Sequence, residues 1–140
     1  MTIDLVEIAD PKKRGEWAEL RFMARAAEYG LCVNKPWGDS SPYDFAIECG
    51  GRFLRVQVKS TRQMRKNTYF LRLREYTDSQ IDFFAVYIIP KDVWFIVPID
   101  VAMRTPGSLT FSPHLERSKH ARYKEAWHLL RGSEVMHFRV

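Results

Sequence analysis

Residues 42–60 read PYDFAIECGGRFLRVQVKS, and this stretch decides the fold. Two strand-like segments, 43–49 and 52–60, flank Gly50-Gly51, a dipeptide that strongly favours a tight β-hairpin turn. With the two glycines as the turn, Cys49 lies opposite Arg52. The pairing then runs outward until Tyr43 lies opposite Val58. A slip of one residue would turn the apolar face outward, so the pattern specifies this register.

The predicted register gives the hairpin one apolar face and one polar face. On the polar face Asp44 lies opposite Gln57, and Lys59 follows two residues further along the same strand. Directly opposed side chains have Cβ atoms roughly 4.5–5.5 Å apart, so the two oxygen-bearing groups can share one cation. Mg²⁺ prefers hard oxygen ligands and keeps several waters or substrate oxygens. We therefore expect Asp44 and Gln57 to bind a metal and Lys59 to orient or help deprotonate an attacking water. The alternative is a solvated polar face without chemistry.

A helix is expected before the hairpin. Asp10-Pro11 is typical of an N-cap followed by proline, apolar residues recur at helical spacing over 14–29, and Gly30 suits the C-terminal end. Glu19, or less favourably Glu16, can bring a second carboxylate to the metal from this helix. The competing interpretation of Glu19 is an ordinary surface residue of the helix.

The remaining pattern predicts an α/β fold in which helices flank a mixed β-sheet, with residues 1–140 as one domain. Further strands are expected at 33–37, at an edge, and at 69–75, 82–89 and 93–99. A helical turn is expected at 76–80, a helix at 119–131, and irregular chain at 60–67 and 105–113. Trp37, Trp94 and Trp127 are expected to fill the core or a dimer interface.

Composition agrees with an intracellular, cytoplasmic protein that binds a polyanion. The net charge of +5 and the pI of about 9.4 suit nucleic acid, although basicity alone is weak evidence. The two cysteines form no CxxC pair, and no apolar run is long enough to span a membrane. The four histidines lack zinc-ligand spacing, and no Gly-rich phosphate loop or GxSxG elbow is present. We therefore expect no membrane association and no small-molecule cofactor.

Three motifs resemble those of the PD-(D/E)xK nuclease superfamily. They are KRGEWAE at residues 13–19, Pro42-Tyr43-Asp44, and Gln57-Val58-Lys59. The resemblance implies a restriction-endonuclease-like αβββαβ core, with Glu19, Asp44 and Lys59 as the family's helix glutamate, aspartate and lysine. It also implies that the backbone carbonyl of Val58 is a metal ligand. The implied activity is Mg²⁺-dependent hydrolysis of DNA phosphodiester bonds that leaves a 5′-phosphate, with Mn²⁺ able to substitute.

The chain departs from the family pattern at two positions. Tyr43 separates Pro42 from Asp44, and Gln57 stands where the family has an acid. The glutamine is similar to that of an intron-encoded homing endonuclease branch, whereas archaeal Holliday junction resolvases keep glutamate there. The glutamine therefore leaves open the alternative that the chain is a catalytically inactive DNA-binding or assembly module. A junction resolvase is a third interpretation, which differs in substrate rather than chemistry.

Contacts with DNA and with further copies of the chain are also expected. Arg62, Arg65 and Lys66 follow the catalytic strand and can bind phosphates, or they form a solvated basic loop. One domain of 140 residues offers little surface to grip a duplex and cut both strands. A homo-oligomer, dimer or tetramer, is therefore expected.

Overall fold

A computed structural model of the chain describes residues 7–73 and 80–131. The helices and strands in chain order are α1 (Pro11–Glu28), β1 (Cys32–Asn34), β2 (Phe45–Cys49), β3 (Arg52–Thr61), β4 (Met64–Arg65), β5 (Thr68–Arg72), β6 (Phe83–Ile88), β7 (Val93–Pro98), α2 (Ile99–Met103) and β8 (Ser108–Phe111). Short 3₁₀ turns lie at Ile89–Lys91, Ala121–Tyr123 and Trp127–Leu130. None of the helices in these two ranges is long and apolar enough to cross a membrane.

The first helix forms as predicted. The Asp10 carboxylate accepts the Lys12 N–H at 3.3 Å, which satisfies one of the unpaired donors of the first turn. Ala18, Phe22 and Ala26 recur every four residues and bury one stripe of the helix against the sheet. The chain leaves the helix through Gly30, whose φ of +76° suits a glycine.

The main sheet has the order β1-β2-β3-β6-β7. The β3–β6 pair is parallel and the other pairs are antiparallel, so the expected mixed sheet and α/β class are confirmed. One core cluster packs α1 against one sheet face and includes Val56 and Val58. A second core cluster lies on the other face and includes Phe84 and Val86. Strand β6 is therefore covered on both faces, as its apolar run predicts.

The hairpin register is confirmed for the five pairs nearest the turn, from Cys49–Arg52 to Phe45–Val56. The two outermost predicted pairs are wrong. Strand β2 begins at Phe45. The Asp44 N–H donates to the Val56 carbonyl at 2.9 Å, whereas the predicted register placed Asp44 opposite Gln57. Tyr43 packs against the second core cluster instead of facing Val58 in the first. The ladder thus ends just before the aspartate.

Residues 60–67 and 105–113, expected to be irregular, contribute strands to a second sheet of order β4-β5-β8. Lys66 and Asn67 form the tight turn between β4 and β5, with φ of +53° and +64°. The strand expected at 69–75 is observed as Thr68–Arg72. The helical turn expected at 76–80 lies outside the described residues except for Gln80. Helix α2 was not predicted, and the edge strand expected at 33–37 ends at Asn34, before Pro36.

The helix expected at 119–131 is wrong, because Glu125 adopts a φ of +50° and breaks it into two 3₁₀ turns. The Glu125 N–H donates to the Trp94 carbonyl at 2.7 Å. Its carboxylate accepts the Trp94 N–H and the Trp127 indole N–H, each at 2.8 Å. Trp94 and Trp127 fill the core as expected, whereas the Trp37 side chain is 98% exposed and lies outside the core.

An ion pair joins β3 to the chain that enters β6. The Asp82 carboxylate accepts the Arg55 backbone N–H at 2.7 Å and two guanidinium N–H groups at 3.0 and 3.1 Å. Burial raises the pKa of Asp82, but these bonds outweigh burial and the pKa is lowered overall. The pair fixes the start of the parallel strand beside β3.

Candidate active site

Asp44 is attached to β3 through its side chain. It lies in the bend before β2, and its Oδ2 accepts the Val58 N–H at 2.8 Å. Its own N–H donates to the Val56 carbonyl, so Asp44 is bound to β3 on both sides of Gln57. Because both bonds involve backbone atoms, the position of the carboxylate depends on the strand and not on any neighbouring side chain.

The Asp44 carboxylate lies in an unfavourable environment for its charge. Burial raises its pKa to about 6, although the Val58 N–H bond opposes the increase. The charge of Glu19 raises the pKa further, whereas the charges of Lys35 and Lys59 lower it. The charges of Glu19 and Lys59, the other two residues of the motifs, therefore act on the Asp44 carboxylate.

Glu19 occupies a half-buried position on α1, whereas Glu16 is exposed. Its Oε1 lies 3.3 Å from the Nζ of Lys35, which also lies 4.9 Å from the centroid of the Phe45 ring. Because Glu19 acts on Asp44, it is the helix glutamate that the geometry favours. Lys35 belongs to no recognised motif, and only its place before Pro36 and the aspartate hints at this position.

The polar residues of β3 follow the alternation of the strand. Val56 and Val58 are buried in the first core cluster under α1, and Gln57 and Lys59 are half-buried on the opposite face. Gln57 stands between the two valines whose backbone groups bind Asp44. This places it beside the aspartate, although the two are not opposed in the ladder.

The three basic residues proposed for DNA binding lie beyond the carboxylate cluster. Arg62 is ion-paired with Glu7, and the Arg65 guanidinium lies 4.4 Å from the centroid of the Phe70 ring. Lys66 is exposed in the turn between β4 and β5. Arg65 and Lys66 therefore lie on the edge strand of the second sheet and in its turn to β5, which follow β3 in the chain.

The donor set fits a hard divalent cation. A half-buried carboxylate with a raised pKa gains stability from a nearby cation, and Glu19 supplies a second carboxylate. Within residues 7–73 and 80–131, no group of three or more His, Cys, Asp or Glu side chains could hold a metal. The other ligands would therefore be neutral oxygens, those of the Gln57 amide and the Val58 carbonyl. One or two carboxylates with neutral oxygens, waters and phosphates is an arrangement that Mg²⁺ accepts.

A mixed sheet that holds an aspartate, a lysine and a helix glutamate around one hairpin is the arrangement of a class of nucleases, and comparison with known families gives the same class. The model of the PD-(D/E)XK endonuclease family matches residues 9–130. This match spans most of the 140 residues, so the chain belongs to the PD-(D/E)XK endonuclease family.

A solved structure shares the fold. The structure of a bacterial homing endonuclease, I-Ssp6803I, is similar with a TM-score of 0.80 and 24% sequence identity, over 91% of this chain and 97% of that chain. Hjc of Archaeoglobus fulgidus, a Holliday junction resolvase, has a TM-score of 0.48 and 14% identity, over 70% of this chain and 83% of that chain. The comparison with curated proteins found no match. The expected restriction-endonuclease-like fold is confirmed.

Replacing Asp44 by asparagine should stabilise the metal-free protein at alkaline pH. The folded pKa of Asp44, about 6, lies above the ordinary value of 3.8, so the folded state binds more protons between these values. The ionised Asp44 side chain therefore destabilises the folded protein, and the free energy of unfolding falls as the pH rises through this window. We expect Asp44→Asn to raise the free energy of unfolding by about 1–3 kcal/mol at pH 8 in EDTA, and by much less at pH 4.

Urea denaturation at the two pH values measures this difference. Asp39→Asn is the matched control, because Asp39 is exposed five residues earlier in the chain. We expect no pH-dependent gain from the control. An Asp44→Asn effect of equal size at pH 4 and pH 8 would contradict the burial of this charge.

Proposed function

We propose that the chain is a Mg²⁺-dependent DNA endonuclease that hydrolyses phosphodiester bonds and leaves a 5′-phosphate. The observation that carries the proposal is the Asp44 carboxylate, bound to the Val58 N–H at 2.8 Å beside the charges of Glu19 and Lys59. Membership of the PD-(D/E)XK endonuclease family supports DNA as the substrate. Mn²⁺ should substitute for Mg²⁺, because both take oxygen ligands.

The proposed site assigns a separate role to each residue. Asp44, Glu19, the Gln57 amide oxygen and the Val58 carbonyl would hold the metal. When bound, the metal lowers the pKa of a water ligand and polarises the phosphate. Lys59 lies on the same face as Gln57, where its ammonium would orient the attacking water and offset the negative charge that develops on the phosphoryl oxygens. Oxygen from water bonds to phosphorus, and the bond to the 3′ oxygen breaks.

The basic surface beyond the site provides the proposed grip on DNA. Arg65 and Lys66 lie on the exposed edge strand β4 and in its turn to β5, where they can reach the phosphates of DNA. Arg62 is ion-paired with Glu7, so it would have to exchange this partner for a phosphate. The net charge of +5 favours such contacts through release of counterions.

Gln57 also supports a second candidate function, a DNA-binding or assembly module that kept the fold without cleavage. The neutral amide gives the proposed metal one fewer anionic ligand than an acid would. The two functions differ in one outcome, because a binding module would shift DNA on a gel but leave it intact with every divalent metal.

A plasmid nicking assay tests the enzyme. With Mg²⁺ we expect the wild-type protein to convert supercoiled plasmid into nicked or linear forms, and EDTA to stop the reaction. Asp44→Ala should abolish cleavage, and Lys59→Ala should slow it by about 100-fold or more while DNA binding survives in a gel shift. Asp39→Ala is the matched control and should cleave normally. Wild-type cleavage by Asp44→Ala would contradict the proposed site.

Changing Gln57 to glutamate should increase metal affinity. An added carboxylate strengthens the attraction for a divalent cation, so we expect the half-saturating Mg²⁺ concentration to fall about tenfold or more. A Mg²⁺ titration of cleavage rate measures the change. Gln63→Glu adds the same charge at an exposed position away from the proposed metal ligands. It should leave the half-saturating Mg²⁺ concentration unchanged, even if it weakens DNA binding beside Arg62. An unchanged or higher Mg²⁺ requirement in Gln57→Glu would exclude this role of the amide.

A homo-oligomer, dimer or tetramer, belongs to the same proposal. Two scissile strands of a duplex are related by two-fold symmetry, and a symmetric pair of copies would place one site at each strand. Light scattering of the protein on a duplex that it binds should give a mass of at least two copies. A mass of one copy on DNA at concentrations that support double-strand cleavage would contradict this part.

A further inference from the structure

Lys35 lies at the carboxylate cluster but has no role in the proposed reaction. It follows β1 directly and stands nine residues before Asp44 in the chain. Its Nζ is 3.3 Å from the Glu19 carboxylate and 4.9 Å from the Phe45 ring, and its charge acts on Asp44. In the metal-free protein the ammonium therefore occupies the neighbourhood in which a metal would neutralise both carboxylates.

Residue Lys35 also contributes to the lining of a neighbouring cavity of about 400 Å³. Most of the lining is apolar and includes Pro36, Ala46 and Phe53. Asn34, Tyr43 and Arg55 add polar residues to it. Asp82 holds Arg55 in place at 2.7–3.1 Å, which makes this wall rigid. The polar residues of this lining, together with the nearby Lys35 ammonium, can donate hydrogen bonds to a phosphate of a nucleic-acid backbone beside the proposed site.

The Lys35 side chain can move between the Glu19 carboxylate and the cavity. Its side chain is 57% exposed, and its contact with Glu19 is a surface ion pair of modest strength. A four-carbon stem lets the ammonium move several ångströms without any change in the backbone. A bound divalent cation and an ammonium repel each other at this distance, so the metal-bound site would favour Lys35 in the cavity.

Resting on the proposed nuclease function, we propose that Lys35 is a further binding residue of the site. Its ammonium neutralises Glu19 and Asp44 in the metal-free protein, and in the metal-bound protein it binds a DNA phosphate in the adjoining cavity. The proposal predicts effects of opposite sign when Lys35 is removed. Metal binding improves because a competing cation is lost, and DNA binding weakens because a phosphate contact is lost.

Metal binding without DNA gives the first test. Mn²⁺ titration by calorimetry or electron paramagnetic resonance at pH 8 should show a site that Asp44→Ala removes. In Lys35→Met the Mn²⁺ dissociation constant should fall about threefold or more, the size of one surface ion pair. Lys35→Arg keeps the charge and should resemble the wild type. Lys119→Met is the matched control, because Lys119 is an exposed lysine in the loop after β8.

Cleavage kinetics at saturating Mg²⁺ give the second test. Lys35→Met should raise KM for DNA about fivefold with kcat unchanged, as expected for a contact made equally in the ground and transition states. In the Lys59→Ala background, the dependence of DNA binding on salt should fall by about one counterion. Lys35→Arg should restore both properties.

The outcomes separate this proposal from the function on which it rests. Weaker or unchanged Mn²⁺ binding in folded Lys35→Met would overturn it, because a merely structural lysine that orients Glu19 predicts the opposite sign. An unchanged KM and salt dependence would also overturn it. Absence of any Asp44-dependent Mn²⁺ site in the wild type would instead refute the proposed metal site, and the role of Lys35 would fail with it.

Discussion

The alternation of side chains along β3 is the constraint on which the rest of the structure depends. Val56 and Val58 are buried under α1, so Gln57 and Lys59 must lie on the opposite face. The same strand pairs antiparallel with β2 and parallel with β6, and neither ladder can slip without exposing the valines. The backbone of this strand also binds Asp44, so the packing of the core determines where the aspartate lies.

Local patterns predicted the parts of the fold that local physics determines. Gly50-Gly51 sets the hairpin register, and Asp10 and Gly30 mark the ends of α1. The failures have long-range causes. Glu125 leaves the helical region because three hydrogen bonds to Trp94 and Trp127 are available only in the folded protein. Strands β4 and β8 exist because they pair with β5, more than 30 residues from β8 in the chain. Lys35 was missed because only the fold brings it to Glu19.

The stability of the surrounding structure allows the site to hold a carboxylate in an unfavourable environment. Burial raises the pKa of Asp44 to about 6, whereas the ion pair with Arg55 lowers the pKa of Asp82 on the same sheet. One acid is thus satisfied by a guanidinium and fixes the parallel strand. The other remains undercompensated beside β3. A carboxylate whose charge is poorly compensated, such as that of Asp44, gains more free energy from a bound cation. This is the property that a metal ligand requires.

Charge balance gives the glutamine at position 57 a physical meaning. In the proposed site the two ammonium groups of Lys35 and Lys59 equal in number the two carboxylates of Glu19 and Asp44. A third carboxylate would strengthen metal binding but would also reduce the positive charge that the metal-bound site offers to a phosphodiester. The neutral amide therefore weakens the binding of the metal and favours the binding of DNA, because a site with fewer anions repels DNA less. The position of the cations therefore matters as much as the number of acids, and a lysine that can move between carboxylate and phosphate adjusts that balance without any change in the backbone.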